Sequence, residues 1–202
     1  MTHIKINPKI IKPAIANLVA GSLEIGQVLI LPTDTIYGLS CLATDRRAIK
    51  KIYHLKKRDP NKPILILVGD VKMAKKYVYI SAAQERELKK LWATKERPTT
   101  VILKNRRKLP NELTRGSDGL GLRLPKSKFL IKIIKIVKCP LVSTSLNFSG
   151  QKTMGDLSRL RYYFPKKNTR PDLVIDAGAS PRRRPSRIID LRDAKAPIII
   201  RK

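Results

Sequence analysis

Short apolar runs bounded by turn residues do most to limit what this chain can fold into. "QVLILPTDT" (residues 27–35), "PILILV" (63–68), "TTVIL" (99–103) and "PLVSTS" (140–145) are each too short for a helix and rich in leucine or β-branched residues. A strand with one wet face alternates apolar and polar residues, whereas a strand buried on both faces has no polar side to show. "PILILV" in particular reads as a doubly buried strand, and Pro32 stops the first run where it enters a loop. "GLGLRLP" (119–125) alternates small and apolar residues instead, and further strands are expected at "DLVID", "SRIIDL" and "PIIIR".

Between these runs the apolar spacing becomes helical. "NPKIIKPAIANLVAGSLEIG" opens on Asn7 as an N-cap with Pro8 in the first helical position, and Pro13 offers a later start. The next helix begins at Asp45, sets Ala48, Ile52 and Leu55 on one face, and delivers Lys56 and Arg58 at its end. "SAAQERELKKLW" carries a capping box, Ser81 with Gln84. "KFLIKIIKIVK" is amphipathic, and a last helix is expected around "GDLSRLRYYF". Strands alternating with helices predict one α/β domain spanning 1–202, with a twisted, open, mixed sheet flanked by helices. The prolines of "PRRRPSR" (181–187) favour an ordered or semi-extended loop.

Charge narrows the partners. Lys and Arg number 44 against 15 Asp and Glu, a formal charge of +29, and such a field draws in polyanions, with nucleic acid the first to consider. A lysine-rich composition inherited from the proteome would give the same excess without a role. The N-terminus shows no signal peptide and no run approaches the ~18 apolar residues of a membrane span, so a cytoplasmic location without membrane contact is expected. Cys41 and Cys139 have no metal-ligand spacing and read as small core residues; His3 and His54 are isolated.

No Gly-x-x-x-x-Gly-Lys-Ser/Thr occurs, and "GLGLRLP" lacks the third glycine of a dinucleotide fingerprint, so a bound nucleotide must be held by side chains and ordinary loops. Four segments offer that chemistry. "PTDTIYGL" supplies Thr33, Thr35 and Tyr37 hydroxyls after a strand, where α/β sheets commonly bind ligands. Lys56 and Arg58 supply a point charge and a planar fork for phosphate. Arg123, at a strand end, suits a carboxylate, and "STSLNFSG" (143–150) crowds hydroxyls and an amide into one turn. Each alone has a plainer reading as a turn former, solvated helix end, surface ion pair or cap.

Together and in order, "LPTDTIYGL", "LKKRDPNKPI", "GLGLRLP", "PLVSTSLNFSG", "SRIIDL" and "PIIIR" resemble the threonylcarbamoyl-AMP synthase (YrdC-like) family over roughly residues 8–201. The resemblance implies an open α/β fold with a large basic cavity in which L-threonine, bicarbonate and ATP become L-threonylcarbamoyl-AMP and pyrophosphate. Partner proteins then use that product to make the threonylcarbamoyl group on adenosine 37 of tRNA. By position, Lys56 and Arg58 would be catalytic and bind ATP together with Lys62, Ser145, Asn147 and Arg201. Thr35, Arg123, Ser143 and Ser186 would surround L-threonine, with Arg123 on its carboxylate. ATP enters as substrate and no tightly bound cofactor is implied. Mg²⁺ suits the triphosphate as counter-ion, but no dedicated carboxylate pair holds it, and Asp34 reads as shaping its loop.

Three features depart from the family pattern. "WATKERPTTVIL" stands where Trp-Pro-Gly-Pro-x-Thr is usual, Arg187 follows Ser186 where many members have threonine, and the chain matches the short, single-domain form. Two other readings compete: a non-catalytic RNA-binding module of the same fold acting in RNA or ribosome maturation, with tRNA or double-stranded RNA as partner, and a family branch that keeps the fold but has lost the synthase activity. The scarcity of aromatics weakens a single-strand stacking version of the first.

Overall fold

The computed structural model describes residues 2–7, 10–94, 97–148, 157–158, 160–166, 169–179 and 185–202. Its centre is a ten-stranded mixed sheet of β1 (Thr2–Lys5), β2 (Leu29–Leu31), β3 (Gly38–Leu42), β4 (Ile66–Leu67), β5 (Thr99–Lys104), β6 (Gly119–Arg123), β7 (Leu141–Ser145), β8 (Leu173–Asp176), β9 (Arg187–Asp190) and β10 (Ile198–Arg201). Across the sheet they run β1-β8-β2-β3-β7-β4-β6-β5-β9-β10. The helices are α1 (Pro13–Glu24), α2 (Arg46–Lys56), α3 (Val71–Tyr77), α4 (Ala82–Ala93), α5 (Asn111–Thr114), α6 (Lys128–Val137) and α7 (Leu160–Tyr163).

The continuous apolar runs have the meaning their composition suggests. Leu29 and Leu31 of β2, Leu67 of β4, Leu141 of β7, and Leu173 and Ile175 of β8 share one core with Val19 and Leu23 of α1 and Phe129, Leu130, Ile133 and Ile134 of α6. The residues between them (Ile30, Ile66, Val142 and Val174) lie in a second core with Ile49 and Ile52 of α2 and Leu88 of α4. Each of these strands is buried on both faces. Under β6, β5 and β9 only the second core continues, through Leu120, Leu122, Val101, Leu103 and Ile189. The α1–α6 layer stops short of those strands, and the face it leaves open is where the cavity described below lies.

Local chemistry sets the element ends. The Asp45 side chain accepts from Ala48 N at the start of α2, and Lys57 closes that helix in the left-handed region at φ 47°. Ser81 and Gln84 form the capping box of α4 from both sides. Asn7 is not an N-cap: α1 begins at Pro13 with Lys12 before it, and Pro8 lies outside the described residues. A helix running through residue 13 would lose a backbone hydrogen bond there and clash with the preceding turn, so the later proline sets the start.

Other differences are equally physical. The run at 27–35 is a strand only over Leu29–Leu31, because "PTDT" turns away into a loop. β1, β3 and α3 had no strong pattern of their own: β1 is mostly exposed and is held by parallel pairing with β8. Cys139 is half-buried rather than core, whereas Cys41 is buried. Of "GDLSRLRYYF", Leu160–Tyr163 is helical, while residues 155, 156 and 159 lie outside the described set, as do 181–184 of "PRRRPSR". Among the described residues no helix is long and apolar enough to cross a membrane.

Candidate active site

The sheet's register brings remote residues to one face. Leu67 pairs with Arg123, Arg123 with Thr100, and Gly38 with Ser145, so these positions point the same way. Along β7, Leu141 packs into the α1–α6 core, and two and four residues later Ser143 and Ser145 on the same face reach past that layer into a cavity. Its volume is about 500 Å³, and its wall includes Thr35, Arg58, Arg123, Ser143, Ser145, Ser186 and Arg201. Seven of the ten sequence-predicted residues therefore meet in one hollow, drawn from six separate segments.

The hollow exists because one strand has almost no side chains on that face. In "GLGLR", the Leu120 and Leu122 side chains are buried in the core, whereas Gly119, Gly121 and Arg123, with part of Leu120, line the cavity. A Cβ on Gly119 would come within 2.8 Å of Ile102 Cγ2, and one on Gly121 would sit 3.4 Å from Leu65 Cβ, an ordinary contact. The motif thus serves as a bare floor, with an arginine at its end. Replacing Gly121 by valine should leave thermal stability within about 1 kcal/mol of wild type while filling the floor. Substrate KM should then rise several-fold in steady-state assays; unchanged kinetics would show that the floor is not used.

Arg123 is buried at 5% exposure. Its Nη1 donates to Thr35 Oγ1 at 3.2 Å, its Nη2 lies 3.5 Å from Asp34 Oδ1, and its Nε has no hydrogen-bond partner among the described residues. Burial lowers its pKa, Asp34 opposes that shift and Arg201 adds to it, yet a guanidinium remains charged at any physiological pH. Asp34 Oδ2 accepts from Lys126 N at 3.2 Å, which ties the "PTDT" loop to the segment after β6. Tyr37 OH donates to Gly178 O at 2.7 Å and accepts from Ala177 N at 2.8 Å, and burial pushes its pKa up to about 12. That hydroxyl fastens the loop to the end of β8.

Lys56 and Asn147 stand one layer behind the wall. The Lys56 ammonium, only 2% exposed, donates to Ser145 O, to Asn147 O at 2.8 Å and to Asn147 Oδ1 at 2.8 Å. Ser145 Oγ donates to the same Asn147 Oδ1 at 2.6 Å. Burial, reinforced by the Arg58 charge, lowers the Lys56 pKa to about 8. This lysine therefore ties the end of α2 to the Ser-x-Asn turn. Arg58 donates from Nε to Lys62 O at 3.2 Å and from Nη2 to Pro63 O at 2.9 Å, and it lines the cavity. Lys62 does not: it is exposed, and its contribution is the carbonyl that Arg58 and the Tyr53 hydroxyl both use.

Sequence reading missed Thr100, whose hydroxyl bonds the Ser186 hydroxyl at 2.9 Å. It also missed Asp190 and Arg192 at the far end, where Arg192 Nη2 meets Asp190 Oδ2 at 2.6 Å and Arg192 Nη1 meets Asp118 Oδ1 at 2.5 Å. The period-two pattern of β5 and β9 carries that information, but only once it is known which face is open. Among the described residues no group of three His, Cys, Asp or Glu is placed to hold a metal ion.

An open mixed sheet carrying a glycine-floored cavity walled by arginines and hydroxyls defines an α/β protein with a pocket suited to anionic groups. Residues 22–202 match the Sua5/YciO/YrdC family, described as telomere recombination, and the chain belongs to that family. A Methanocaldococcus jannaschii protein provisionally named as a threonylcarbamoyl-AMP synthase is 34% identical over 170 residues, covering 84% of this chain and 77% of its own. The Stutzerimonas stutzeri threonylcarbamoyl-AMP synthase is 30% identical, covering 88% and 92%. The structure of a Pyrococcus abyssi Sua5 variant superposes with a TM-score of 0.87 at 26% identity, over 99% of this chain and 60% of that one. The same Sua5 complexed with L-threonine gives 0.83 at 24%, over 99% and 56%. The chain spans about half the length (53%) of the mouse relative.

Proposed function

We infer that this chain is a threonylcarbamoyl-AMP synthase. The observation that carries the reading is the meeting of Arg58, Thr35, Arg123, Ser143, Ser145, Ser186 and Arg201 on one cavity wall, in a family whose relatives bear that name. L-threonine's amine and bicarbonate condense to a carbamate with loss of water. A carbamate oxygen then attacks the α-phosphorus of ATP, the bond to the β-phosphate oxygen breaks, and pyrophosphate leaves. Both reactants are anions. Fixed guanidinium groups lower their repulsion and stabilise the charge developing on the leaving group, as preorganised dipoles and charges do elsewhere. Holding the two in line supplies much of the remainder.

The division of work among these residues follows the family resemblance. Arg123, anchored by Asp34 and Thr35, has its Nε left for the amino acid's carboxylate, with the Ser143 and Ser186 hydroxyls nearby on the wall. Arg58, Ser145 and Arg201 face the triphosphate, and Lys56 and Asn147 hold the Ser145 turn from behind. Mg²⁺ would arrive with ATP as its counter-ion. No enzyme nucleophile is needed. The product is chemically suited to transfer its threonylcarbamoyl group to adenosine 37 of tRNA by partner proteins, in the cytoplasm. A purely RNA-binding module would have no use for a buried arginine poised with a hydroxyl-lined hollow.

Purified protein supplied with L-threonine, bicarbonate and ATP should release pyrophosphate only when all three are present. Release without threonine, or none at all, would put the RNA-binding reading first. In that case tRNA binding should weaken steeply with added salt.

A further inference from the structure

The loop that departs from its family, "WATKERPTTVIL", carries a residue with a role. We propose that Arg97 is a positioning residue that staples two segments of the cavity wall together, an inference that rests on the synthase reading for its kinetic consequences. Arg97 itself does not line the cavity. Its Nε and Nη2 donate to Pro185 O at 3.3 and 3.2 Å, and its Nη2 donates to Lys202 O at 2.6 Å. The first carbonyl lies one residue before Ser186 and the second one residue after Arg201. Pro185, Ser186 and Arg201 all face the cavity.

The wall needs such a staple. β10 is an edge strand, pairs among the described residues with β9 alone, and its register shifts between Ile199 and Arg201. All four of its residues are exposed, so burial does little to fix it. Arg201 in turn donates to Ser186 O at 2.9 and 2.7 Å and to Ser186 Oγ at 3.2 Å. Two guanidinium groups thus grip consecutive carbonyls of one segment, Pro185 O and Ser186 O.

The altered loop is itself anchored, which gives Arg97 a firm base. Trp92 Nε1 donates to Thr99 O at 3.2 Å, Arg187 N to Pro98 O at 2.9 Å, and Arg187 Nη2 to Thr99 Oγ1 at 3.4 Å. Arg97 also acts through charge: after burial, its cation is the cause that lowers the Arg201 pKa. The rigid planar fork spans two carbonyls of different segments, whereas a lysine ammonium keeps the charge but concentrates its donors at one point, so it replaces the fork only in part.

Hydrogen exchange and kinetics together test this. In Arg97→Ala, amides of residues 186–190 and 198–201 should exchange about tenfold faster, while those of β6 stay unchanged. KM for L-threonine and for ATP should both rise about tenfold with kcat altered less, and Arg97→Lys should recover part of the loss. In an Arg201→Ala background, removing Arg97 should add less than about twofold to the ATP KM, because coupled residues are non-additive. Unchanged exchange in Arg97→Ala would overturn the staple, and fully additive KM effects would overturn its action through Arg201. If the wild-type chain releases no pyrophosphate, the synthase reading fails while the exchange comparison still decides the staple.

Discussion

Replacing Lys56 by alanine should reduce pyrophosphate release by at least about 100-fold, although the ammonium does not face the cavity. Its three acceptors, Ser145 O, Asn147 O and Asn147 Oδ1, all lose a charged donor once it is gone, and the Ser145 hydroxyl that still donates to Asn147 Oδ1 carries no charge. Leaving a buried acceptor unmade costs about 1–3 kcal/mol, so the turn shifts and takes the cavity-facing Ser145 with it. Lys56→Met keeps the volume and removes the charge, separating packing from electrostatics: stability should recover in part and activity should not. Turnover within a few-fold of wild type in Lys56→Met would refute this role.

The same lysine predicts a pH effect. With its pKa lowered to about 8 by burial and by Arg58, wild-type kcat/KM for ATP should fall as pH rises through that value, and Lys56→Met should lack this limb. Stability moves the other way. The unfolded chain, with the ordinary value of 10.5, binds more protons between about pH 8 and 10.5, so Lys56's contribution to folding rises with pH there. Loss of activity across that window is therefore not unfolding caused by Lys56.

Arg123→Ala should raise KM for L-threonine by about 100-fold or more, the scale expected when one partner of a buried charge pair is truncated. It should also cost about 3–5 kcal/mol of stability, since a buried ion pair would lose its guanidinium. The double replacement Arg123→Met, Asp34→Asn removes both charges and should restore much of the stability without restoring threonine binding. Calorimetry with L-threonine and thermal melts separate the two effects. Threonine binding at wild-type affinity in the stable double variant would remove Arg123 from the site.

Legibility in the sequence followed burial. β2, β4 and β7 were readable because both faces are covered, and a doubly covered strand must be apolar throughout. α2, α4 and α6 were readable from their spacing, and the first two also from the start at Asp45 and the capping box at Ser81, whereas the Ser127 cap of α6 was not read. β1 and β3 were not. β1 is held by pairing with β8, more than 160 residues away, and nothing local reports such a partner. At the site, Lys56, Arg58, Ser145 and Asn147 were found by motif, but the division between wall (Arg58, Ser145) and support (Lys56, Asn147) was not. Lys62, assigned to ATP by resemblance, is exposed and is not among the residues that line the cavity.

The sequence by itself determined that this chain forms an α/β sheet of largely buried strands, and which cations and hydroxyls were available for anion chemistry. Only the tertiary structure decided which of them meet. Strand order and register set which alternate residues share a face, and the end of the α1–α6 layer sets which part of that face stays open. Both depend on pairings between distant segments, and those pairings leave no mark on either segment alone.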